Sequence, residues 1–340
     1  MTTTEKFRTP TPPVGVIESL SQGFETVASS LGLLLLPLLI DLLLWVGPRV
    51  SFGPAIEAAY REFWKPALVG SEQQVPDTAA ELFQFMATAS ETVPPVYLPV
   101  LGVPSLMAWH AAQPLPFSYT PPVWVIDTTV GMMGVELLAL GGGVILISFY
   151  LTLIAQQVGE GKISLKNVLA RLPINVFWFS LFVIGGSILL FAMFLPFFVL
   201  ATGLSLFNGF LGNIATIAGM VFLLWISLFG IFTVHSIAMN RRSLFGALWD
   251  SVRVVQWNMS ATLFLVLLIV VLNSALSFVW SLADMASWLA LPAIAGNAFI
   301  STGLWTATFV FFKDRYRYWR EMREELIAEL ERRRIQQHRS

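Results

Sequence analysis

Long apolar runs separated by short polar segments dominate the chain. The first, LGLLLLPLLIDLLLWVG at 31–47, carries a single charge, Asp41. A helix needs about 20 apolar residues to cross the hydrocarbon of a bilayer. Six stretches qualify, at about 27–47, 128–156, 174–202, 207–238, 259–282 and 288–312. Several exceed the minimum, which predicts tilt or extension past the lipid. Glu18 and Glu25 precede the first run and no A-x-A pattern follows it, so it reads as a retained span and not as a cleaved signal.

Three shorter stretches show a period of about 3.6 residues. VIESLSQGFETVAS places Ile17, Leu20, Phe24 and Val27 on one helical face. KISLKNVLARLP groups Leu165, Val168, Leu169 and Leu172, and RRSLFGALWDSVRVVQWN groups Leu244, Ala247, Leu248, Val252 and Val255. Each is too short and too polar to span. Such helices lie in the membrane interface with basic residues near anionic head groups. Each stands before a span leading out and a span leading back. The pattern therefore predicts an all-α polytopic membrane protein, six transmembrane helices as three hairpins, each preceded by an inner amphipathic helix. The expected organisation is a disordered arm at 1–13, a membrane domain at 14–312 with an outer cap inserted at 48–127, and a charged cytoplasmic helix at 313–340.

Composition agrees. Of 340 residues, 56% are hydrophobic and 12% charged, about half the roughly 25% of soluble domains. The net charge of -1 points to neither nucleic acid nor an acidic partner. Cysteine is absent, which removes disulfides, thiolate nucleophiles and cysteine metal sites. The placement of Lys and Arg sets the direction. With the N-terminus cytoplasmic, 17 of the 20 basic residues fall inside, and only Arg49, Arg61 and Lys65 fall outside, in one long loop. The positive-inside rule thus predicts a multi-pass cell-membrane protein with both termini cytoplasmic and the 48–127 loop outside.

The stretch RRSLFGALWDSVRVVQWNMSATLFLVLLIVV at 241–271, and more faintly GKISLKNVLARLPINVFWFSLFVIG at 161–185, joins a basic amphipathic helix to an Asn at the membrane entrance (Asn258, Asn175) and then an apolar span. In this it resembles the six-span membrane domain fused to some glycerophosphodiester phosphodiesterases, and that domain's stand-alone relatives of unknown function. The resemblance covers the membrane part only. It implies no catalytic residues, because in the fused proteins the chemistry lies in a separate soluble barrel. The long outer loop departs from the compact form of the family.

That loop holds twelve prolines and the acids Glu57, Glu62, Glu72, Asp77, Glu81 and Glu91. Segments 54–66 and 76–92 read as short helices. The Pro-broken, aromatic stretch 97–124 is excluded from lipid at depth, where its backbone groups would lack partners. Trp109, Tyr119 and Trp124 suit the head-group level. The loop is either a cap over a cavity or partner site, or a packed lid without a ligand.

At ~1.5 Å per residue, Asp41 lies about 9 Å below the outer end of the first span and Glu136 roughly 13 Å down the second. Two acids at similar depth in one hairpin form a candidate proton or cation site and would share a proton. The alternative is helix glue. Pro37 frees the carbonyl of Leu33 one turn before Asp41. Glu136 sits among Gly131, Gly134, Ala139 and Gly143, which favour close helix contacts, as Gly212, Ala215 and Gly219 do in the fourth span. His235 reads as a helix-bonded histidine, and no paired His, phosphate-cradling Gly loop or G-x-S-x-G occurs. No catalytic group, cofactor or metal is expected.

In the tail, Arg317 and Glu321, Arg320 and Glu324, and Glu329 and Arg333 are spaced to pair. Trp319 and the basic knot Arg332, Arg333 and Arg334 are candidates for lipid or partner contact. These features favour a non-enzymatic integral membrane protein that organises or assists a membrane process through partner docking or lipid contact. The alternative is a small transporter or channel module using Asp41 and Glu136, although the repeats run in the same sense and are not inverted. A lipid-modifying enzyme beneath the cap would have only Glu91, His110 and Asp127 to work with.

Overall fold

In lipid a helix satisfies its own backbone hydrogen bonds, and the apolar runs accordingly fold as helices. The computed structural model describes residues 11–68, 74–92, 103–109 and 114–337. Most of the expected N-terminal arm, His110 and His338 lie outside these residues, as do the side chains of Glu91, Trp109 and Arg333. In chain order the elements are α1 (Val16–Ser29), a 3-10 turn (Leu31–Leu34), α2 (Leu35–Val46), β1 (Arg49–Ser51), α3 (Gly53–Ala59), a π-helical turn (Tyr60–Trp64) and α4 (Lys65–Ala67). Then come α5 (Gln74–Thr92), a 3-10 turn (Met107–Trp109), β2 (Val123–Val125), α6 (Thr129–Glu160), α7 (Leu165–Phe207) and α8 (Gly209–Gly230). The last are α9 (Thr233–Asn240), α10 (Leu244–Trp257), α11 (Met259–Ser281) and α12 (Ala290–Gln337). Among the described residues the architecture is all-α save for one strand pair, with 5 helices long and apolar enough to cross a membrane, or 6 if a bent pair counts as one span.

That bent pair is the first departure from the sequence expectation. α1 and the helical stretch Leu31–Val46 meet at 92°, so the apolar run at 27–47 is not one straight rod. Pro37 falls in the first turn of α2, where a missing N–H costs least, and it starts that helix instead of kinking a longer one. The amphipathic stretch at 165–172 is not a separate helix but runs straight into α7, and the loop expected at 203–206 is helical too. Asn208 alone separates α7 from α8, and its side chain accepts from the N–H of Phe210 at 2.8 Å. The fourth span breaks at 231–232 between α8 and α9. Within the outer loop, β1 pairs with β2 in parallel, Arg49 opposite Val123, which joins the two stems of the insertion. Three residues per strand are too few for periodicity to announce.

The chain divides into two compact units. One comprises 1–26, 151–269 and 304–340, and the other 27–150 and 270–303. In the first, Val16, Leu228, Phe232, Val254, Val255, Leu265, Phe311 and Phe312 form the core. α7 and α8 pack through small residues, since a Cβ on Gly219 would lie 2.8 Å from Cβ of Phe197. Asn175 of α7 donates to the Thr152 hydroxyl of α6 at 2.8 Å, a tie between the two helices. In the second unit, Trp45, Leu106, Met107, Met285, Ala290, Ala293 and Ile294 form the core. Trp45 donates from Nε1 to the carbonyl of Met285 at 3.2 Å. Tyr60 and Trp64 pack on Phe83 of α5 with ring centroids 5.1 and 5.8 Å away.

α1 buries Val16, Ser19, Leu20, Gly23 and Val27, half-buries Phe24 and leaves Ile17 exposed. The buried face thus takes in most of the apolar one and adds small residues, through which α1 packs on α12. A Cβ on Gly23 would lie 2.6 Å from the backbone nitrogen of Ala307. The Gly23→Val substitution is therefore expected to destabilise the protein by about 1–3 kcal/mol, the usual cost of overpacking. Gly134→Ala, which meets nothing within 4 Å, should not. Thermal unfolding of both variants in detergent checks the contrast.

Candidate functional site

Asp41, on α2, is fully buried at 0% exposure. Its carboxylate accepts from the Ser105 hydroxyl at 2.5 Å, from the N–H of Leu106 at 3.0 Å and from the N–H of Met107 at 3.0 Å. Ser105 Oγ in turn accepts from the N–H of Ala108 at 3.1 Å. The carboxylate caps, from a distant helix, the 3-10 turn at Met107–Trp109. This segment lies in the Pro-broken stretch expected on the membrane surface, yet Val103, Ser105, Leu106, Met107 and Ala108 are buried. Irregular backbone at such a place needs donors and acceptors from the protein itself. Asp41 supplies the acceptors.

Glu136 does not join it. Glu136 is exposed on α6, among exposed Met133, Leu137 and Leu138. The hydrogen bonds described for Asp41 come from the 105–107 turn, and neither Glu136 nor Pro37 is among their donors. Nor does Gly134 support a close helix contact, since a Cβ there would be in open space. Among the described residues no group of three His, Cys, Asp or Glu could hold a metal ion.

A second polar assembly lies in the other unit, and sequence reading missed it. α10 buries Leu244, Ala247, Asp250, Ser251, Val254 and Val255. Ser251 donates to the carbonyl of Phe229 at 2.6 Å and accepts from the N–H of Phe232 at 3.0 Å, which satisfies the backbone where α8 breaks into α9. Asp250 accepts from the Ser236 hydroxyl at 2.8 Å and pairs with Arg242 Nε at 3.4 Å. Arg242 also donates to the Tyr316 hydroxyl at 3.3 Å. The Tyr316 hydrogen bond, followed by the Asp250 carboxylate, raises the Arg242 guanidinium above its ordinary value and keeps it charged. The signal available in the sequence was the 247, 250, 251, 254 spacing, one helical face that happens to include two polar residues.

His235 is buried against Phe309, with ring centroids 4.2 Å apart. Its Nε2 lies 2.7 Å from the Thr308 hydroxyl, which donates its one proton to the carbonyl of Trp305 at 2.6 Å. His235 is thus held by the Thr308 hydroxyl of α12 within an aromatic surround.

Along α12, Trp319 stands beside Tyr316, and the Arg253 and Arg323 guanidinium carbons lie 4.8 and 5.7 Å from its ring centroid. Arg253 also lies 5.1 Å from the Trp249 ring. Trp319 thus belongs with α10. Arg332 and Arg334 are exposed some thirteen residues on, roughly 20 Å along a helix, so the basic knot and Trp319 are not one site. Arg320 pairs with Glu324 at 3.6 Å as the spacing predicts, whereas Arg317 turns back to Asp314 at 3.1 Å instead of forward to Glu321.

Compared with known proteins, the chain matches no family model, no curated protein and no solved structure. It is a helical membrane-spanning protein by its own composition and architecture. Asp41→Ala is expected to leave the amides of Leu106 and Met107 buried without acceptors, at about 1–3 kcal/mol each. Their hydrogen exchange should quicken, and Glu136→Gln should leave it unchanged. Exchange of peptides covering 103–109 checks both.

Proposed function

We propose that the protein is a non-enzymatic integral membrane protein whose cytoplasmic face engages lipid through α10, and so organises or assists a membrane process. The observation that carries this is the outward side of α10. Phe245 and Trp249 are 79% and 57% exposed, Trp257 is 68% exposed at the helix end, and the buried side is fixed to the bundle by Asp250 and Ser251. Large aromatics on one side of a short helix, with Arg241, Arg242 and Arg253 beside them, are the composition that rests in a head-group layer. The resemblance at 241–271 to the six-span phosphodiesterase-linked membrane domain supports the same reading. So does the Lys and Arg distribution, which by the positive-inside rule favours this end as the inner one. Transport through an Asp41–Glu136 pair has less support, since Asp41 holds three donors of its own and Glu136 is elsewhere on the surface.

The absence of native cysteine makes single-site labelling direct. A spin label on Phe245→Cys should be quenched by lipid-borne paramagnetic probes at head-group depth, and one on Glu324→Cys should see water. Shielding of the Phe245→Cys label from both lipid and water would point to a protein partner on α10 and overturn the lipid reading. Impermeant thiol reagents applied to intact cells should modify Glu57→Cys and spare Glu324→Cys, which checks the orientation.

A further inference from the structure

We infer that Arg315 and the start of α1 form an anion site for a phosphate group, at the end of the bundle where the chain's two terminal segments meet. Arg315 is 4% exposed. Its Nη2 donates to the carbonyl of Val14 at 3.2 Å, and its Cζ lies 3.4 Å from the centroid of the Phe311 ring. Its Nε and Nη1 are buried with no hydrogen-bond partner among the described residues. A guanidinium stays charged at any working pH, presents five N–H donors and takes acceptors in a planar fork. One carbonyl and one ring face leave most of that capacity unused.

The second half of the site is the first turn of α1. Ser19 N–H donates to the carbonyl of Gly15 at 2.9 Å, so the amides of Val16, Ile17 and Glu18 precede the first intrahelical bond. Val14, which holds Arg315, stands two residues before this turn. The placement is fixed at both ends, since Gly23 of α1 abuts Ala307 of α12 as Val14 meets Arg315. The two helices therefore run antiparallel for about 12 Å at 1.5 Å per residue. The first-turn amides with their positive dipole thus lie near a guanidinium that has two nitrogens without partners, and such groups together are how proteins hold phosphate.

Two acids lie nearby and keep their charge, and Asp314 also attracts the Arg315 guanidinium. Asp314 bonds Arg317 at 3.1 Å, and Glu18 accepts from Gln22 Nε2 at 2.9 Å. Lys313 does not compete for an anion, because its Nζ donates to the carbonyl of Val158 at 2.6 Å. Arg315 also follows the last buried apolar pair, Phe311 and Phe312, and precedes Tyr316, Tyr318 and Trp319. That is the level at which interfacial aromatics and lipid phosphates are found. The ligand is thus a phosphate, from a lipid head group or free in solution. The site stands whether or not α10 contacts lipid.

The test uses the full chain in detergent, with phosphatidylglycerol and inorganic phosphate as separate probes. Amide exchange of the wild-type protein should slow at Val16–Glu18 with a probe that binds. Slowing by phosphatidylglycerol alone identifies a head-group site, and slowing by both identifies a site for any phosphate. Native mass spectrometry should show Arg315→Gln retaining the bound probe about tenfold less than wild type, the worth of one charged hydrogen bond. Arg315→Lys, which keeps the charge but loses the fork, should fall between. Trp249→Ala should not alter this binding. If neither probe slows exchange at Val16–Glu18, water is the partner of Arg315 and the proposal fails, whatever the variants do.

Discussion

A polar group withdrawn from water must find its partner inside the protein, and this requirement governs how the chain is built. An unpaired carboxylate or peptide N–H in an apolar surround costs more than most single contacts return. Asp41 and the 105–108 turn are each untenable alone in such a place. Together they form a closed set of hydrogen bonds, and the outer insertion is anchored to α2 as a result. The same logic operates at the gap between α8 and α9. There Ser251 both donates and accepts, so the helix can break without stranding its backbone. At the end of α6, Lys313 places a cation on the carbonyl of Val158, near the negative pole of that helix.

Packing follows from these ties. Helices drawn together by hydrogen bonds still need surfaces that fit, and in lipid no difference in hydrophobicity pulls them together. Small residues provide the fit where contact is closest, at Gly23 against Ala307 and at Gly219 against Phe197. At Gly296, a Cβ would lie 2.5 Å from the ring of Trp280. The spanning helices differ in burial. The most apolar window of α12 is 56% buried, whereas that of α7 is 0% buried.

Much of this was legible in the sequence. Run length and the 3.6-residue period located the helices, the small residues of α8 marked a packing face, and the tail was read as an extension of the last span. What was not legible has a common cause. Breaks and joins between helices are decided by partners distant in sequence. Pro173 looks like a boundary but lies inside α7, and 231–232 looks like continuous span but is a break. The two intramembrane acids make the point sharply. Asp41 and Glu136 have similar flanks and were read as a pair. One is enclosed by a turn 64 residues away and the other lies on the surface. Side-chain type and depth do not distinguish these fates.

The buried groups that remain unpaired can be ranked by what burial costs them. Among the described residues they are the hydroxyls of Thr233 and Thr262, Nδ1 of His235, Nε1 of Trp280, and Nε and Nη1 of Arg315. A neutral hydroxyl or ring nitrogen left without a partner costs about 1–3 kcal/mol, and a fold of this size absorbs several. A guanidinium is different because it does not shed its charge to escape the penalty. Cation–π contact with Phe311 offsets part of it, yet such contacts contribute only about 0.5–2 kcal/mol. The imbalance is therefore concentrated at one residue, beside one helix start, and an anionic acceptor relieves it more fully than any neutral partner.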